Sequence, residues 1–179
     1  SQGYVHYEKG SVVLYYLKEM IGEERLNAAL KQFVEKFRYK EPPYPNAYDF
    51  VEVLKQHTPT ELHYLYKDLF EDITLFANRT LDANYEALKN GKYRVSLQVE
   101  FVKQKSDAKG KSTDVEVSDF IEIGAFAKPD AGKKYGKELH RQRIYVDKRE
   151  GTFEFEVDAI PDMVGVDPYS LLIDRMPLD

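Results

Sequence analysis

The residues that first suggest chemistry are Tyr4-Val5-His6-Tyr7-Glu8-Lys9-Gly10-Ser11-Val12-Val13-Leu14, which place a phenol, Tyr7, at the mouth of a strongly apolar segment. A phenol is a neutral hydrogen-bond donor at working pH. The other candidates do less. His57 and His63 are six apart and interrupted by Pro59, so they cannot share a helical face as i and i+4 metal ligands do. His6 reads as a solvated neighbour of Tyr7, and the fourth histidine is His140. Asp158 with Asp162, and Asp167 with Asp174, flank the Pro161–Pro168 loop without the D-x-D-x-D-G order of a calcium loop, and read as acidic turn residues. Gly132-Lys133-Lys134 lacks the G-x-x-x-x-G-K-[ST] frame of a phosphate loop and reads as a solvated hairpin tip. Ser11, Ser96 and Ser118 stand in no G-x-S-x-G turn. Glu8 and Lys9 read as helix-surface charges, and Gly10 as a point of close helix packing.

The elements that must position these residues come in two kinds. Val13, Tyr16, Leu17, Met20 and Ile21 recur at three- and four-residue spacing before Gly22, which predicts a buried helix with a glycine stop. Glu23 to Tyr39 repeats the pattern with Leu26, Leu30, Phe33, Val34 and Phe37 on one face, and its two opening glutamates suit the helix dipole. Prolines 42, 43 and 45 forbid helix. Asn46 is placed to cap a third helix with Phe50, Val51 and Leu54 inward. Thr58-Pro59-Thr60-Glu61 has the order of a capping box opening a fourth helix with Leu62, Leu65, Tyr66, Leu69 and Phe70.

After Thr74 the period changes from helical to alternating. Tyr93, Val95, Leu97, Val99 and Phe101 alternate with polar residues, and Asn90-Gly91 predicts a two-residue hairpin to a strand around Tyr85 and Ala87. Further strands are expected over 120–127, 139–146, 153–159 and 169–173, with Phe153, Phe155, Val157 and Ala159 inward. Lys103–Ser112 and Lys128–Lys137 read as polar connections. The expected fold is thus an α+β chain in two parts: a small helical bundle over 1–74 and an antiparallel, immunoglobulin-like β-sandwich over 75–179. A barrel would use the same strand pattern.

Composition sets outer bounds. At 179 residues and 42% hydrophobic content, the chain can bury one good core or two modest ones. Residues 1–75 hold nine basic and twelve acidic side chains and the remainder seventeen and nineteen, so neither part has the cationic excess that phosphate neutralisation needs, which argues against nucleic acid as a partner. The absence of cysteine removes disulfides, thiolate metal sites and a cysteine nucleophile. No apolar run approaches the ~18 residues of a membrane-spanning helix, and the first residues lack the regions of a signal peptide, so the chain reads as soluble. With no starting methionine, it reads as a piece of a longer protein.

Tyr7-Glu8-Lys9-Gly10, the apolar helix after it and Ile21-Gly22-Glu23-Glu24 resemble the catalytic-tyrosine helix of the aminopeptidase N-like zinc metallopeptidases, the gluzincin family that includes leukotriene hydrolase. The resemblance continues through Phe33, Phe37, Tyr48-Asp49-Phe50 and Asp68-Leu69-Phe70, covering about the first 75 residues. It implies that 1–74 is the helical end of a thermolysin-like catalytic domain followed by a β-sandwich. It also implies that Tyr7 is catalytic, stabilising the tetrahedral intermediate of peptide hydrolysis. The chain has neither the H-E-x-x-H nor the G-x-M-E-N run of the family. The resemblance therefore implies zinc in the parent protein, held by an upstream catalytic domain, with a peptide substrate, and a fragment inactive alone. Some members are fused to membrane permease segments, and the end of this chain resembles such fusions, which implies a parent associated with the cell envelope. The other reading of the same residues is a noncatalytic scaffold or interaction module, its β-sandwich binding a protein or sugar through exposed aromatics at Tyr85, Tyr135 or Tyr145.

Overall fold

In the computed structural model, which describes residues 9–173, the chain is a mixed α/β protein with four helices and three antiparallel sheets of three strands each. It divides into two compact units, Ser1–Ile73 and Thr74–Asp179.

Helix α1 runs Lys9–Ile21, and its predicted stripe is buried throughout: Val13, Tyr16, Leu17, Met20 and Ile21 are all at 7% exposure or less. Each such side chain contributes about 1.5–3 kcal/mol on leaving water. Gly22, at φ 90°, donates its N–H to the Lys18 carbonyl at 2.9 Å, and its own carbonyl accepts from Leu26. One residue thus ends α1 and opens α2, and the left-handed backbone there favours glycine. Helix α2, Glu23–Phe37, buries Leu26 and Ala29 and half-buries Leu30, Phe33 and Phe37; Val34, expected on this stripe, is 57% exposed. Gly10, expected at a close helix contact, has nothing within 4 Å of a β-carbon built on it, so the packing there does not require glycine.

Helix α3, Ala47–Gln56, opens as expected at Asn46. The Asn46 carboxamide oxygen accepts from the Tyr48 and Asp49 amides, and the Asp49 carboxylate accepts from the Asn46 amide, closing a full capping box. The fourth helix departs from the sequence reading. Thr58 caps nothing; its buried hydroxyl donates to the Leu54 carbonyl at 2.8 Å and bonds the Tyr66 phenol. Pro59 precedes a 3₁₀ turn, Thr60–Leu62, which leads into the short helix α4, Tyr64–Tyr66, and a π-helical turn, Lys67–Glu71. A hydroxyl taken inward by α3 is not available to the next helix's amides. Of the expected stripe, Leu62, Leu65, Tyr66 and Leu69 are buried and Phe70 is 36% exposed.

The second unit holds nine strands, β1 Ile73–Phe76, β2 Arg79–Ala87, β3 Tyr93–Glu100, β4 Lys103–Ser106, β5 Ser112–Val115, β6 Asp119–Phe126, β7 Glu138–Val146, β8 Glu150–Val157 and β9 Met163–Val166. They form sheets of order β1-β4-β5, β2-β3-β8 and β7-β6-β9. Val95, Leu97 and Val99 of β3 and Ile121, Ile123, Ala125 and Phe126 of β6 are essentially inaccessible and, with Phe155 and Val157, make the core of this unit. The Asn90-Gly91 hairpin joins β2 to β3 in register, but as a three-residue loop in which the Gly91 amide donates to Leu88 and Gly91 adopts φ 79°.

Two sequence expectations fail here. Residues 103–112, read as a polar connection, form the β4–β5 hairpin: the Asp107 carboxylate accepts from the Lys109 and Lys111 amides, and Gly110 takes φ 80° at the turn. Residues 169–173, read as a strand, are irregular, because Asp167 accepts from the Leu171 and Leu172 amides and holds them in a turn; the last strand is β9 instead.

Candidate functional site

The sequence places its one catalytic candidate immediately before α1. Tyr7, with His6 and Glu8, lies outside the described residues, which begin at Lys9, already within α1. What the structure describes is the support downstream of Tyr7: a thirteen-residue helix fixed by its buried face, with Gly22 setting the direction in which α2 leaves.

The remaining flagged residues do not come together. The His57 ring bonds the Gln32 carboxamide oxygen, and Gln32 in turn donates to Gln56 at 2.7 Å, tying α2 to the end of α3. The His63 ring reaches the carbonyls of Lys55 and Thr58, at 3.2 and 3.0 Å, satisfying backbone groups at the end of α3. His140 stacks on Phe155 in the β unit, with ring centroids 4.0 Å apart. Asp158 pairs with Lys92 at 3.2 Å, Asp167 is the turn acceptor described above, and Asp174 lies outside the described residues. Lys133 pairs with Asp130 at 2.8 Å. The Ser118 hydroxyl bonds the Tyr145 phenol at 2.7 Å. Among the described residues, no three His, Cys, Asp or Glu side chains are arranged to hold a metal ion. No helix among them is long and apolar enough to cross a membrane, which says nothing of strands.

Of the aromatics proposed for a binding surface, Tyr85 is 49% and Tyr145 55% exposed, but they stand on different sheets. Tyr85 packs edge-on to Tyr93, Tyr145 tilts against Phe120, and Tyr135 is half-buried on Phe126 and Tyr169.

The β unit holds a set of paired charges that sequence reading missed. Glu100, 7% exposed, accepts from Arg79 and, at 2.9 Å, from Arg149; Arg149 also reaches Asp114 at 3.2 Å, and Gln104 donates to the same carboxylate. The Arg149 and Arg79 guanidiniums hold the Glu100 carboxyl below its ordinary value, in that order of effect. Glu122 accepts from Arg141 at 2.8 Å and Arg143 at 3.3 Å. Lys103 and Asp119 form a buried pair. Glu100 faces Arg79, and Glu122 faces Arg143, directly across their strand pairs. For Glu122 the signal was an acid interrupting the apolar run of β6, whereas Glu100 follows the polar residues of β3 and gives no such signal; reading either pair requires the register.

Beside this network lies a cleft of about 370 Å³, lined by Phe101, Lys103, Asp114, Val117, Asp147 and Arg149 among others. Its lining mixes charged and apolar side chains and holds no Ser, Cys or His. A scan against protein-family models finds no match for the chain, and a search of curated proteins finds none either.

Proposed function

We propose that this chain is the C-terminal part of an aminopeptidase N-like zinc metallopeptidase, and that it contributes Tyr7 to a cleft whose metal ligands and base lie upstream. The observation that carries the reading is α1: the residues that follow Tyr7-Glu8 in the sequence, Lys9–Ile21, form a helix with a buried apolar face that stops at Gly22, in keeping with the helix the family resemblance implies. Further support is the sequence of units, four helices followed by an all-β unit. In this reading the helices are the end of a thermolysin-like catalytic domain and the strands an immunoglobulin-like β-sandwich.

The part assigned to Tyr7 is a hydrogen bond. Its phenol O–H donates to the substrate carbonyl oxygen, and the bond strengthens as that oxygen becomes negative in the transition state. A phenol does this without gaining or losing a proton. Zinc, held by residues outside this chain, would supply the activated water. In this reading the metal ligands and the base lie upstream, so the isolated chain is expected to be inactive.

The test is to compare the isolated chain with the parent protein for zinc content and for hydrolysis of an aminoacyl anilide. The reading predicts about one zinc and turnover in the parent and neither in the chain alone. A parent that binds no zinc and cleaves nothing sinks it.

A further inference from the structure

The peptidase reading leaves one surface of the helical unit without a use. After α2 ends at Phe37, the chain turns at Tyr39, whose φ of 57° is left-handed. Glycine or asparagine ordinarily fills such a position, because a β-carbon crowds the backbone there. A tyrosine costs free energy and here returns little of it, since Tyr39 is 97% exposed. Tyr44 and Tyr48, further along, are 74% and 71% exposed.

Cations are interleaved with these rings. The Lys36 and Lys40 ammoniums lie 5.0 and 5.8 Å from the Phe37 ring centroid, and the Arg38 guanidinium 6.0 Å from that of Tyr39. All three basic residues are exposed, and none has an ion pair with a carboxylate among the described residues. Glu41 is the only acid between residues 36 and 46, so this segment, with Lys36, Arg38 and Lys40, is formally positive in a chain of net charge -5.

The occupant follows from exposure and charge together. A protein partner gains most from a side chain packed in a pocket that excludes water, and these tyrosines stand clear of their neighbours. A bilayer interface makes room for each ring itself. It holds tyrosine at headgroup depth and lets lysine and arginine reach the phosphates on long stems. Three prolines restrict the loop, which lowers the ordering cost of docking. We propose that the α2–α3 loop is a docking surface for an anionic lipid bilayer, with Tyr39 and Tyr44 entering the headgroup region and Lys36, Arg38 and Lys40 meeting lipid phosphates.

The test uses the full chain with vesicles of phosphatidylcholine alone or mixed with phosphatidylglycerol. Because the chain has no tryptophan, Tyr39→Trp provides a single fluorophore at the proposed point of entry. The expected result is flotation with the anionic vesicles only, weakening as salt rises, and a shift of indole emission to shorter wavelength. The triple variant Lys36→Gln, Arg38→Gln, Lys40→Gln should bind about fivefold more weakly per cation removed, roughly 100-fold in all, with an unchanged circular-dichroism spectrum. Equal binding to neutral vesicles, no flotation, flotation without the emission shift, or a triple variant that floats like the parent would each overturn the proposal. Capture by polyglutamate in preference to anionic vesicles would overturn it too, and assign the loop to an acidic polypeptide.

Discussion

Lys103 and Asp119 meet inside the β unit as a two-pronged ion pair, ammonium to carboxylate oxygens at 2.8 and 3.0 Å, with their side chains 7% and 4% exposed. The Ser118 amide donates a further bond to Asp119 at 3.1 Å. Removing one partner strands a buried charge, whereas removing both leaves an apolar contact. Asp119→Leu should therefore lower stability by about 3–5 kcal/mol. Adding Lys103→Met should restore most of that loss, as read from urea midpoints. A double variant no more stable than the single would contradict this.

In the helical unit the Thr58–Tyr66 hydroxyl bond should behave as a coupled pair. Tyr66 is 1% exposed, and burial pushes its phenol pKa up while the bond to Thr58 opposes the shift. Thr58→Val strands the phenol and should cost about 1–3 kcal/mol. Tyr66→Phe made in that background should cost less than in the parent, which a double-mutant cycle measures.

Tyr169 donates to Glu138 at 2.6 Å, and the pKa of its phenol is pushed up to about 12, chiefly by that bond and then by burial. Because the folded value lies above the ordinary 10.0, the stability this group contributes is present below about pH 10 and fades as pH rises toward 12. Glu138→Gln should bring the Tyr169 ionisation back toward 10, as followed by ¹³Cζ chemical shift. An unchanged titration would show that the carboxylate is not the cause.

Glu100 works in the opposite direction. Its carboxyl is held below the ordinary 4.5 by Arg149 first and Arg79 second. The stability it contributes is present above that value and is lost as pH falls through the lowered one. Arg149→Gln should raise the Glu100 pKa and flatten the acid side of the stability profile.

The sequence revealed most of the fold where one physical signal acted alone. The apolar stripe of α1, the Asn46 cap and the alternation of β3 are local patterns, and the structure keeps them. It hid what depends on partners distant in the chain. Thr58 carries the local signature of a cap, but Tyr66, eight residues on, competes for its hydroxyl. The β4–β5 hairpin has almost no apolar residue to announce it; Lys103 is buried there in an ion pair with Asp119, sixteen residues later. The Glu100 and Glu122 pairs require strand register, which a single strand does not encode. The candidate site was legible only as far as Tyr7 and the residues of the helix that follows it; in the proposed reading the remaining groups of the cleft belong to residues upstream.

The central claim is tested most directly by Tyr7→Phe in the parent protein, measuring bound zinc and turnover of an aminoacyl anilide together. Losing one donor to the developing oxyanion should lower turnover by roughly 100- to 1000-fold with zinc content unchanged. A variant that retains both its zinc and its turnover would contradict the account, since Tyr7 would then have no part in stabilising the oxyanion.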